Sequence, residues 1–184
     1  MVKLQDKFRK SVWMLWALAC TAFSETYEFT VEEGIEIPNI GPAMPVEIFA
    51  SGIEGTVVDM ELTLVGFRHG YIQETALALS NPAGLTTLLV DGVRCRLYSP
   101  ADVGFSDRAL GHFGTNCASG LFLPGEEVLT RDFSLLIAPK RPFFVEFGDL
   151  LKDDPNGRWV FWAEDYVSGD GGEIASFVLK ITTE

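Results

Sequence analysis

The chain has 184 residues, with 26 acidic side chains against 14 basic ones and a formal net charge of −12. A field of that sign repels phosphates and anionic lipid surfaces, which excludes nucleic acid as a partner and favours cations such as calcium. The length suits one domain that can bury its own core without metal or oligomerisation.

Lys3, Lys7, Arg9 and Lys10 stand against Asp6 in the first ten residues, and Ser11 to Phe23 follows without a charge. This is the pattern of a secretory signal peptide, and the run is shorter than the roughly 20 apolar residues that a membrane span needs. Ala22 and Ser24 supply the small residues read before a cleavage point, so residues 1–24 read as the signal peptide and 25–184 as the mature domain, with no stable membrane span after cleavage. Loss of four bases and one acid leaves a mature charge of about −15. An alternative treats Ala17-Leu18-Ala19-Cys20 as a loose lipobox and anchors the protein by a lipid on Cys20. The expected location is secreted, periplasmic or extracellular.

From Glu25 onward the chain reads as short strands punctuated by Gly, Pro, Asn and Asp. In chain order the expected strands are Tyr27 to Val31, Val46 to Ala50, Val58 to Leu64, Leu77 to Ser80, Thr86 to Val90, Phe133 to Ile137, Phe143 to Phe147, Arg158 to Glu164 and Ser176 to Ile181. Val58, Met60, Leu62 and Leu64 alternate with Asp59, Glu61 and Thr63, and Phe177, Leu179 and Ile181 with Ser176, Val178 and Lys180, the period of half-buried strands. Evenly spaced short strands with turn signals between them indicate an all-β antiparallel sandwich or barrel. Tyr98 to Glu127 reads as long loops. With Cys20 in the leader, Cys95 and Cys117 remain as a pair for a disulfide in an oxidising compartment, the alternative being two buried thiols.

Asn156-Gly157-x-Trp159, Asp165, Gly169-Asp170-x-Gly172 and Ile174-x-Ser176-Phe177-x-Leu179-x-Ile181 follow one another in the tail. Upstream stand Ile37-Pro38-Asn39, Ile48-x-Ala50-Ser51-Gly52, His69-Gly70-Tyr71-Ile72-Gln73-Glu74 and Leu77-x-Leu79-x-Asn81-Pro82-x-Gly84-x-Thr86. In this order and spacing the chain, from about Phe29 to Ile181, resembles the P domain (Homo B domain) of kexin- and furin-type proprotein convertases, which also occurs in bacterial secreted peptidases. The resemblance implies a jelly-roll β-sandwich that packs beside a subtilisin-type serine peptidase and tunes its stability and its calcium and pH response. It departs from the family at Gln73, Glu74 and Thr75, and between Arg94 and Arg131.

Within that pattern the matched residues have structural reasons to exist. Asn156-Gly157 supplies a turn, Trp159 opens a strand by burying a large ring, Gly169 and Gly172 with Asp170 permit a tight connection, and Pro82 with Gly84 does the same earlier. If the hairpins stack as in P domains, Glu74, Asp91, Asp165 and Asp170 converge as oxygen ligands for calcium; otherwise they are solvated turn residues and backbone caps.

Hydrolytic chemistry needs a nucleophile, a base and an orienting group. Only His69 and His112 are present. His69 reads as a packed or surface-bonded imidazole, and a disulfide would consume the thiol of a His112–Cys117 pair. Alternation along Trp159, Phe161 and Trp162 puts Trp162 opposite the other two, where an exposed ring would stack on a sugar. The expected function is therefore a non-catalytic module accessory to a subtilisin-type peptidase, or, alternatively, an adhesion module that binds a surface polysaccharide.

Overall fold

The computed structural model describes residues 24–114, 117–125 and 132–184. Apart from Ser24, the segment expected as a signal peptide, with Cys20 of the alternative lipobox, lies outside the described residues. The domain is all-β, two sheets packed face to face as a sandwich. The first sheet has seven strands: β1 (Glu25–Val31), β2 (Ile35–Ile37), β5 (Val57–His69), β8 (Leu97–Phe105), β9 (Gly120–Phe122), β11 (Gly172–Ile174) and β12 (Ser176–Thr183). The second has five: β3 (Gly41–Pro42), β4 (Val46–Ala50), β6 (Thr75–Ser80), β7 (Thr86–Asp91) and β10 (Gly157–Asp165). Named pairs are antiparallel apart from β8 with β9, which is parallel.

The alternating strands carry the core. Met60, Leu62 and Leu64 of β5 and Phe177, Leu179 and Ile181 of β12 are buried, and they pack with Ile48, Leu77, Leu79, Phe105, Trp159 and Phe161. Leu62 lies opposite Leu179 and Met60 opposite Ile181, so the two alternating strands bring their apolar faces into one layer. Phe161 meets Phe177 across the sheets at a ring separation of 4.9 Å, joining the two layers.

A second apolar cluster lies outside this sandwich. Ala76, Ala78, Val160 and Trp162 point away from the main core and are covered by Phe133, Ala138 and Phe143. The segments expected as strands at 133–137 and 143–147 are this cover. They are not strands: Phe133, Ala138 and Phe143 anchor an irregular flap, with Leu136 and Ile137 at its exposed outer side, and Phe147–Lys152 is a 3-10 turn. The only ladder contact of the flap among the described residues is the bridge between Phe144 and Thr87. Isolated apolar residues here pin a loop by burial, and its main chain bonds partly to side chains, as Ser134 N–H does to Glu164 Oε2 at 2.7 Å, and partly to main chain, as Phe144 N–H does to Thr86 C=O at 2.9 Å.

The expected loop after Tyr98 is also corrected. β8, a strand of nine residues, takes up the start of it from Tyr98 to Phe105 and pairs with β5 through two register shifts. Its sequence, LYSPADVGF, carries Pro100, Ser99 and Gly104 and mixed burial, which hides a strand from periodicity.

Cys95 and Cys117 are joined, with Cα atoms 5.9 Å apart, which ties the start of β8 to the segment leading into β9.

Candidate functional site

The matched turn residues act as scaffold. The Asn156 carboxamide accepts from Ile53 N–H at 2.9 Å and donates to Ile53 C=O at 3.0 Å, pinning the entry of β10 to the exit of β4. Gly157 has a φ of +131°, a region that favours glycine, and any Cβ there would press on Pro82 at 3.0 Å. Trp159 is fully buried and donates its Nε1–H to Pro155 C=O at 2.9 Å. Pro82 and Gly84 lie in the β6–β7 turn, where Asn81 accepts Leu85 N–H and donates to Leu150 C=O.

Trp162 is not on an open face. The flap covers it to 9% exposure, and its Nε1–H donates to Ser80 Oγ at 2.9 Å. The ring therefore has no face free to stack on a sugar, because the residues that cover it, Phe133 and Phe143, come from a segment whose cover role periodicity cannot show.

One end of the sandwich gathers most of the ionisable residues singled out above. There β5 ends at His69, β10 at Asp165, and β11 begins at Gly172 directly opposite His69. His69 and Asp165 face each other with Nε2 3.0 Å from Oδ2, both side chains sealed from solvent. The approach is close, but the N–H is poorly aimed at the oxygen, so attraction between the groups exceeds the quality of the hydrogen bond. Tyr71 N–H donates to His69 Nδ1 at 3.1 Å, which makes Nδ1 the acceptor and places the proton of the neutral ring on Nε2, toward Asp165. Asp165 Oδ1 accepts Val167 N–H at 2.8 Å. Burial pushes the His69 pKa down, partly offset by Asp165, Asp170 and Glu74, and burial pushes the Asp165 carboxyl up.

Asp170 sits against Gly70: a Cβ on that glycine would meet the Asp170 carboxyl carbon at 2.7 Å. Gly172 is still tighter, since its Cβ would meet Arg68 C=O and His69 Cδ2 at 2.5 Å. The tight connection therefore exists because β11 runs directly across the imidazole. Gly169 N–H donates to Asn39 Oδ1 at 2.6 Å, tying the connection to the loop after β2. Glu74 reaches the same end by its main chain, where its C=O accepts Tyr166 N–H at 2.8 Å. Asp91 pairs in register with Ala76, at the far end of the β6–β7 hairpin from Pro82 and Gly84.

Asp165, Asp170 and Glu74, three of the four expected calcium ligands, lie near enough to His69 to act on its charge. Among the described residues no group of three or more His, Cys, Asp and Glu side chains is arranged to hold a metal. Asp165 is engaged by His69 and Val167, whereas the Asp170 carboxyl lies against Gly70. His112 lies elsewhere, its Nδ1 3.0 Å from Pro124 C=O, and the Cys117 sulfur is taken up by Cys95.

Sequence reasoning missed the His69–Asp165 pair, because 96 positions separate the two and no spacing rule links them. It also missed an exposed stack beside them, in which the Arg96 guanidinium lies 3.9 Å from the Tyr71 ring and 5.9 Å from that of Tyr98. No family model matches the chain, and no curated protein matches it. Among the described residues no helix is long and apolar enough to cross a membrane.

Proposed function

We propose that the chain is a secreted, P-domain-like module that acts without chemistry of its own beside a subtilisin-type serine peptidase, stabilising or targeting it. The single observation that carries this reading is the use made of the matched residues. Asn156, Gly157, Trp159, Gly172 and Gly84 hold turns and strand ends of one sandwich, as scaffold residues of a carried module would. The ionisable pair His69 and Asp165 is likewise turned inward, where it locks three strand ends together. Calcium is the cation proposed for this end. The Asp170 and Glu74 carboxylates with nearby loop carbonyls would contribute oxygens, and Asp165 stays with His69.

The test is an affinity capture. The protein immobilised on resin is exposed to the native secreted fraction, with an unrelated acidic sandwich protein as control. Elution of serine-peptidase activity from this resin alone supports the reading, and equal activity from both resins contradicts it.

A second reading, a polysaccharide-binding surface module, is favoured by one observation. Tyr98 is 65% exposed and lines a shallow depression with Arg68, Gly70 and Asp170, an aromatic ring beside polar groups that suits a sugar. Retention on polysaccharide columns that is lost in Tyr98→Ala would move the assignment there.

A further inference from the structure

We propose that the flank where the two sheets expose their edges is a docking groove for an extended, basic peptide segment. The groove encloses about 530 Å3 between Val31, Gly34 and Ile35 on one wall and Met44, Pro45 and Val46 on the other. Its walls belong to different sheets. Among the described residues β2 pairs only with β11, and β4 only with β10, so each presents one strand side that takes part in no ladder there. Unpaired strand edges are templates for an added strand, whose main chain supplies affinity and whose alternate side chains supply specificity.

The lining selects the occupant. Met44 is 78% exposed above buried Val46, and a flexible thioether adapts to varied apolar side chains. The rim carries Glu33, Glu36 and Glu47. Arg158 neutralises Glu47 at 2.6 Å, whereas neither Glu33 nor Glu36 forms an ion pair among the described residues. Glu36 stands directly opposite Glu173, whose charge is already held by Arg68, so β2 itself offers no counter-charge. An incoming strand that alternates apolar and Lys or Arg residues puts one set on Met44 and Val46 and the other against Glu33 and Glu36. An acidic strand meets repulsion on a chain already at −12.

The inference is independent of the peptidase reading. Its test uses a short fluorescent peptide of alternating Lys and Val, a matching Glu and Val peptide, and a Lys and Val peptide interrupted by prolines, each titrated with the folded protein by anisotropy. The Lys and Val peptide binds, the acidic one does not, and prolines weaken binding because they remove main-chain donors. Glu33→Lys with Glu36→Lys weakens binding about tenfold, while Asp153→Lys with Glu184→Lys, which changes net charge equally, leaves it unchanged. The wild-type Met44 methyl resonance shifts on addition of the peptide, a readout that does not depend on the variants folding. Absence of binding, equal loss in both double variants, equal binding of the proline peptide or an unmoved Met44 signal would overturn the proposal.

Discussion

His69 Nε2 and Asp165 Oδ2 lie 3.0 Å apart inside the turn-bearing end of the sandwich, with no solvent access to either side chain. The ring has one proton to give to Asp165 and one lone pair to receive Tyr71 N–H. A second proton would place N–H against N–H at Nδ1. Structure and burial therefore both favour the neutral ring.

The pH dependence follows from that sign. The folded pKa of His69 lies below its ordinary value of 6.5, so as pH falls through 6.5 the unfolded chain binds a proton that the folded chain refuses. Stability is then lost with falling pH, from about pH 6.5 downward. Asp165, whose folded pKa is raised by burial, acts in the opposite sense, because its protonation relieves a buried charge. Thermal denaturation between pH 7.5 and 5.5 should show the melting temperature falling, and His69→Gln should flatten that fall. An equal slope in both proteins would count against this role for His69.

Gly172→Ala should destabilise the fold by about 1–3 kcal/mol, because the added methyl collides with the Arg68 carbonyl and the imidazole. Urea denaturation reads the loss directly. Gly169→Ala is the comparison: no atom lies within 4 Å of a Cβ there, although its φ of +147° still disfavours alanine, so the cost should be smaller.

Trp159→Ala should cost about 3–5 kcal/mol, since a fully buried ring and its hydrogen bond to Pro155 are lost together. Trp162→Ala should also lower the melting temperature, by removing the centre of the second cluster and leaving Ser80 Oγ without its indole donor. Its retention on polysaccharide columns should equal that of the wild type. Selective loss of retention by a fully stable Trp162→Ala would restore the ring as a ligand platform.

The strands that alternate on a well-packed face, β5 and β12, are legible in the sequence because period-two burial leaves a direct trace in residue type, whereas β10, buried on both faces, shows as a short run of large apolar residues after a turn. β8 is not, because a strand with a proline, two register shifts and mixed exposure has no such trace. Phe133 and Phe143 misled in the other direction. Their apolar neighbours resemble a strand, yet the burial they supply is that of a flap over Trp162. The turn residues around Asn156 and Gly172 were readable one by one. What brings His69 to Asp165 is the pairing of β5 with β11 and of β10 with β6, a long-range register that no local pattern encodes.

Reduction of the Cys95–Cys117 bridge should lower stability by about 3 kcal/mol in the chain-entropy view, since it frees a loop of 22 residues. Melting curves with and without reductant, alongside a Cys95→Ser/Cys117→Ser variant that should be insensitive to it, measure the effect.

Excess calcium over chelator should raise the melting temperature by about 2–4 °C for each kcal/mol of binding linkage, and Asp170→Asn should remove the rise while leaving the metal-free stability near that of the wild type. Identical curves with calcium and with chelator would exclude that cation from the turn-bearing end.

The most direct test of the accessory role is the thermal lifetime of serine-peptidase activity in the native secreted fraction, before and after this protein is removed by a specific antibody. The account predicts faster inactivation after depletion and recovery when the purified wild-type protein is added back, but not when the destabilised Trp159→Ala variant is. An unchanged lifetime after complete depletion would contradict it.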